Sequence, residues 1–183
     1  IAYYLPLRAG GRKNWGSRTQ DFWCCHCTLV QANARAREFY YYRKADTLVV
    51  GQYLPSVYEG EIAGTKVSVS QSFTDLGGSC NTINETSLTI WERPNYQSVD
   101  FAVKTEQPAR FTIRFRIPWW IKGEFVCRVD GEDVPFTVED GFACVTRQWK
   151  DDKDTVVMGK AITCWPLADE PDTVAFLDGP VVL

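Results

Sequence analysis

Phe111-Thr112-Ile113-Arg114-Phe115-Arg116-Ile117-Pro118 is the stretch that decides the fold. Apolar residues alternate with Thr112, Arg114 and Arg116, and a proline stops the run. Side chains on a strand point alternately to opposite faces. This spacing therefore predicts one buried and one polar face in an antiparallel sheet. The same period recurs outward from it. Toward the C-terminus it returns in Phe125 to Val129, Phe142 to Thr146, Thr155 to Met158 and Val174 to Leu177. Toward the N-terminus it runs through Asp100 to Lys104, Ser87 to Trp91, Lys66 to Phe73, and Thr47 to Leu54 before Pro55. Asp130-Gly131 and Asp140-Gly141 are turn signals. Short strands with turns every roughly eight to twelve residues predict a mainly β fold, a jelly-roll-like antiparallel β-sandwich.

Residues 1–45 read differently. Gly10 to Ser17 has the Gly, Asn and Ser content of a loop. From Cys27 to Phe39 there is no Gly or Pro, and Leu29, Ala32, Ala36 and Phe39 recur at helical spacing. Asp21 is placed to cap this helix or join its first turn. The expected organisation is a loop-and-helix segment over 1–45, then the sandwich over 46–183. The only Met is Met158, and the chain runs from an aromatic phrase at Ile1 to the apolar Val181-Val182-Leu183. The expectation from these ends is a piece of a longer polypeptide.

Composition narrows the function classes. Of 183 residues, 45% are apolar and 23% charged, which excludes a disordered chain. The net charge of −3 gives no basic face for nucleic acid. No apolar run approaches the roughly 20 residues that span a bilayer, so no membrane partner is expected.

The seven cysteines fall into two groups. Cys80, Cys127, Cys144 and Cys164 are scattered, and free Cys ordinarily fills a core as a small hydrophobe. Cys24, Cys25 and Cys27 are crowded around His26, the single histidine. Disulfide geometry disfavours bridges between such close neighbours. Together they are soft donors suited to a metal such as zinc. Any Ser-His or Cys-His catalysis has only His26 to draw on. Glu59, Glu61, Glu85, Glu92, Glu106, Glu124, Glu132, Asp133, Glu139 and Asp140 read mostly as solvated surface, without a glycosidase-like pair. Asp151-Asp152-Lys153-Asp154 reads as a polar turn; it lacks the spacing of a calcium loop. Trp119-Trp120 is a candidate sugar-stacking platform, with Trp15, Trp23, Trp91 and Trp149 as further candidates. Core packing is the ordinary use of such residues. Asn84-Glu85-Thr86 matches the glycosylation sequon.

Several phrases in order carry a family likeness. They are Leu5-Pro6-Leu7, Phe22-Trp23-Cys24-Cys25, Glu38-Phe39-Tyr40-Tyr41-Tyr42 and Asp46-Thr47-Leu48-Val49-Val50. Phe111 to Trp119, Gln148-Trp149-Lys150-Asp151 and Val174 to Leu183 continue the series. The chain resembles glycoside hydrolase family 127, whose known members are bacterial β-L-arabinofuranosidases. The resemblance implies a helical toroid carrying the active site, followed by β-sandwich domains. The present chain would then hold the end of the toroid and the adjoining sandwich. It implies that Cys24 is the nucleophile of a retaining mechanism, and that Cys25 binds zinc beside it. It also implies that the acid/base Glu and the other zinc ligands lie upstream. His26 and Cys27 stand where the family has small residues, and are further candidate donors. The implied function is part of a glycoside hydrolase with a carbohydrate partner, inactive by itself. Two other readings are a carbohydrate-binding module, and a structural accessory domain that forms a homodimer through exposed sandwich surface.

Overall fold

A computed structural model describes residues 10–11, 24–73 and 94–183, with the backbone alone for 24–27. The chain divides into two compact units, Ile1–Phe39 and Tyr40–Leu183. In the first, helix α1 spans Cys24–Arg35 and tightens into a 3-10 turn over Ala36–Phe39. The helix thus opens three residues before the predicted start. Its C-terminal end is braced by the Arg35 guanidinium on Glu38, at 2.6 Å. That pair is exposed, so its contribution is small. Asp21, and most of the Gly10 to Ser17 loop, lie outside the described residues. No helix among the described residues is long and apolar enough to cross a membrane.

The second unit is built from strands. In order they are β1 (Tyr41–Lys44), β2 (Thr47–Val50), β3 (Ser56–Ile62), β4 (Thr65–Ser72), β5 (Tyr96–Thr105), β6 (Ala109–Arg116) and β7 (Phe125–Val129). There follow β8 (Glu132–Asp133), β9 (Thr137–Glu139), β10 (Phe142–Trp149), β11 (Asp152–Gly159), β12 (Ile162–Pro166), β13 (Val174–Asp178) and β14 (Val181–Val182). One sheet has the order β1-β2-β6-β10-β9 and a second has β3-β4-β5-β11-β7-β8. A three-stranded sheet, β12-β13-β14, follows them. The described pairings are antiparallel except β2 with β6, which is parallel.

The stretch that predicts the fold sits at the centre of the first sheet. Phe111, Ile113 and Phe115 are buried, while Thr112, Arg114 and Arg116 are half-buried on the other face. Phe115 meets Phe101 of the second sheet edge-on, with ring centroids 5.0 Å apart. Leu48 and Val50 join from β2, Val67 and Val69 from β4, and Val156 and Met158 from β11. Each such side chain contributes roughly 1.5–3 kcal/mol when fully withdrawn from water. On the outer face, the Thr112 and Thr146 hydroxyls pair across strands at 2.7 Å. The two Asp-Gly signals are two-residue hairpins. Asp130 and Gly131 have φ of 51° and 88°, and Asp140 and Gly141 have 50° and 78°. Both central residues of such a turn need positive φ, which Gly adopts freely and Asp tolerates.

Several expectations need correction. The strand predicted over Thr47 to Leu54 ends at Val50. Beyond it, buried Gln71 takes the place of a ladder. Its side-chain amide donates to the Gln52 carbonyl at 3.1 Å and accepts from the Leu54 N–H at 3.3 Å. Cys127 and Cys144 are buried as expected, but Cys164 is exposed on β12. Val174 to Leu177 forms a strand outside the two main sheets. The predicted strand over Ser87 to Trp91, Cys80 and the Asn84 sequon lie outside the described residues.

Gly159 closes β11 against the loop after β6. Its N–H donates to the Glu124 carbonyl at 2.8 Å, and its carbonyl accepts from the Lys122 N–H at 3.0 Å. A Cβ here would stand 2.6 Å from the Lys122 carbonyl oxygen. That neighbour is backbone, held by the same hydrogen bonds, and cannot swing aside. Gly159→Ala is expected to cost about 1–3 kcal/mol, the range for overpacking. Urea unfolding should show a lower midpoint at unchanged slope. A wild-type midpoint would mean that the loop yields.

Candidate functional site

Cys24, Cys25, His26 and Cys27 form the first turn of α1. The first-turn N–H groups of a helix lack intrahelical acceptors and carry partial positive charge. This environment favours a thiolate over a thiol. No acidic residue in the first turn opposes it. The expectation that Cys24, Cys25, His26 and Cys27 hold zinc rests on side chains outside the described ones. Among the described residues no group of three metal-binding side chains is assembled. The sandwich cysteines offer different chemistry. Burial, reinforced by the Asp154 carboxylate, pushes the Cys127 thiol up to about 12. Burial also raises Cys144. Both remain thiols at neutral pH.

The tryptophans separate. Trp15, Trp23 and Trp91 lie outside the described residues, and Trp149 is wholly buried in the core, so it offers no face to a sugar. Trp119 follows β6, is 64% exposed, and stands edge-on to Trp165 of β12 with centroids 5.2 Å apart. Trp120 packs on the core beside Gly179. Neighbours in sequence thus do not form one flat platform, and the aromatic partner of Trp119 is Trp165. Sequence reasoning missed Trp165. The usable signal was only a tryptophan closing the β-forming run Ile162-Thr163-Cys164-Trp165 before Pro166. Across the pair β12–β13, Cys164 stands opposite Phe176 and Pro166 opposite Val174. All four are exposed, an apolar face on the three-stranded sheet.

Of the carboxylates named from sequence, Glu59, Glu61, Glu106, Glu124, Glu132, Asp133, Glu139 and Asp140 are exposed, as expected for solvated surface. Glu85 and Glu92 lie outside the described residues. The reading of Asp151 to Asp154 as a polar turn is overturned. Asp152 begins β11, and both Asp152 and Asp154 are buried. The Asp152 carboxylate accepts the Lys150 N–H at 2.6 Å and lies 3.3 Å from the Arg147 guanidinium. These two contacts let a charged residue open an inward-facing row. The period-two row Asp152, Asp154, Val156, Met158 was the available signal; the charges on its first two members hid it.

The comparisons with known proteins agree with this architecture. Ara127N-Se, a GH127 β-L-arabinofuranosidase from Geobacillus stearothermophilus T6, superposes with a TM-score of 0.68 at 23% identity, over 87% of this chain and 23% of that one. The GH127 β-arabinofuranosidase BT3674 gives 0.68 at 20% identity, over 87% of this chain and 25% of that one. A structure described as a glycoside hydrolase gives 0.69 at 18% identity, over all of this chain and 28% of that one. These likenesses establish the fold, and the chain spans about a quarter of the length of these solved proteins. No curated protein matches it. The family model for the GH127 β-L-arabinofuranosidase middle domain matches residues 47–159, the sandwich from β2 through β11. With more than half of its length matched in this way, the chain belongs to the GH127 β-L-arabinofuranosidase family.

Proposed function

We propose that these residues are one part of a retaining glycoside hydrolase that removes terminal L-arabinofuranosyl or closely related sugars. Cys24 is its nucleophile and Cys25 a neighbouring zinc ligand. The family match over 47–159 carries this reading. Further support comes from the tandem cysteines at the start of α1, where the helix end favours thiolates. Zinc, when bound, would hold a coordinating thiol deprotonated at neutral pH. The Cys24 sulfur then attacks the anomeric carbon and the glycosidic C–O bond breaks, leaving a glycosyl thioether. Water displaces the sulfur in a second step and gives its proton to the group that protonated the leaving oxygen; the two inversions together retain the configuration. The leaving oxygen needs a proton. By resemblance that acid, like the remaining zinc ligands, belongs to another part of the polypeptide. The sandwich supports the catalytic part, and the 183 residues alone do not turn over.

The test is hydrolysis of 4-nitrophenyl β-L-arabinofuranoside with zinc supplied. The full gene product should release nitrophenol, Cys24→Ala should reduce it to background, and the 183-residue chain should release none. A full-length protein inactive on this substrate, or unaffected by Cys24→Ala, would refute the reading. Turnover by the short chain would refute its dependence on other parts.

A further inference from the structure

Asp154 is a buried carboxyl without a partner. It is 3% exposed, and neither side-chain oxygen has a hydrogen-bond partner among the described residues. Its strand neighbours are Phe101 of β5 and Val129 of β7, both buried and apolar. The charged and titratable groups around it come from three directions. Asp152 precedes it by two residues on the same face of β11, and is itself 1% exposed. From β7 and its hairpin come the Cys127 thiol and Asp130, whose carboxylate is engaged by the Lys153 N–H at 3.2 Å. From β10 comes one cation, Arg147, which is turned to Asp152 at 3.3 Å. The one positive charge near it among the described residues is thus committed to the neighbouring carboxylate. A second negative charge on the same face, withdrawn from water, is strongly disfavoured.

We propose that Asp154 is a proton-binding site inside the sandwich, carried as the neutral acid, so that the domain tightens as the medium becomes acidic. Burial first, then the Asp152 charge, pushes the Asp154 carboxyl up to about 8, with Arg147 opposing. The folded state therefore holds a proton that the unfolded chain releases near the ordinary carboxylate range. Stability from this group is complete below about pH 4 and is lost as pH rises toward 8. This is the reverse of an ion-paired carboxylate. The chain suits the measurement, because its single histidine leaves few other groups titrating between pH 5 and 8.

The experiment is urea unfolding of the 183-residue chain at several pH values from 5 to 8. One proton held only by the folded state makes the folding constant fall about tenfold per pH unit within this window. Asp154→Asn should flatten the dependence, and His26→Gln should leave it intact. The carboxyl carbon of Asp154, followed by NMR in the unmodified chain, should titrate well above pH 5, which serves even if Asp154→Asn does not fold. A flat wild-type profile, a slope that survives Asp154→Asn or vanishes in His26→Gln, or a carboxyl midpoint below pH 5 would overturn the proposal.

Discussion

Trp149→Ala should destabilise the sandwich by about 3–5 kcal/mol, a large part of the stability of an ordinary domain. Trp149 is the last residue of β10 and is wholly buried. Its indole ring lies 5.7 Å from that of Phe111 at a tilt of 31°. Its Nε1–H donates to the Phe111 carbonyl at 2.9 Å. The Arg147 guanidinium rests over the same ring at 5.3 Å. Truncation therefore leaves a cavity, a carbonyl stripped of its indole donor and an arginine without its apolar support. That arginine also holds Asp152, so the loss reaches the buried carboxylates of β11. Trp149→Phe should restore most of the packing but not the donor, and stay below wild type by about 1 kcal/mol, the typical net worth of one hydrogen bond. Equilibrium urea unfolding followed by far-ultraviolet circular dichroism measures all three proteins. An alanine variant within about 1 kcal/mol of wild type would show that the site collapses around the gap.

Legibility from sequence followed the burial of each element. Strand β6 reads plainly because one face is buried and the other is not, so chemistry alternates with geometry. The same holds for β4, where Thr65, Val67, Val69 and Gln71 face inward. Strand β3 was missed. Gly60 and the flanking Glu59 and Glu61 break the apolar pattern, although its inward side runs through Tyr58 and Ile62. Strand β12 was missed because its residues are largely exposed on both faces, which removes the contrast that periodicity detects. The inward aspartates of β11 illustrate a third case: a charged residue at a buried position reads as a loop. The candidate site was legible in a different way. Crowded cysteines suggest metal or nucleophile chemistry by themselves, but the separate roles proposed for Cys24 and Cys25 rest on likeness to a family. A catalytic constellation gathers residues from distant parts of a chain, and local spacing does not encode it.

Asp178→Ala should cost about 3–5 kcal/mol, the cost of leaving one half of a buried ion pair behind. Lys160 Nζ donates to both Asp178 oxygens, at 2.9 and 2.8 Å, and the two side chains are 11% and 12% exposed. The Lys160 N–H also donates to the Asn95 carbonyl at 2.8 Å, just before β5. The pair therefore ties β13 to the segment that anchors the six-stranded sheet. Without the carboxylate, an ammonium stays shielded from water with no counter-charge, while the three-stranded sheet loses its polar fastening. The damage should be local first: amide hydrogen exchange should rise across 162–183 before the β6 and β10 core is affected. Replacing both partners by apolar residues of similar size separates stranded charge from lost structure. Lys160→Met with Asp178→Leu should recover most of the stability, because the desolvation cost disappears with the charges. A double variant no better than Asp178→Ala would mean that the geometry of the pair, rather than the stranded ammonium, sets the loss.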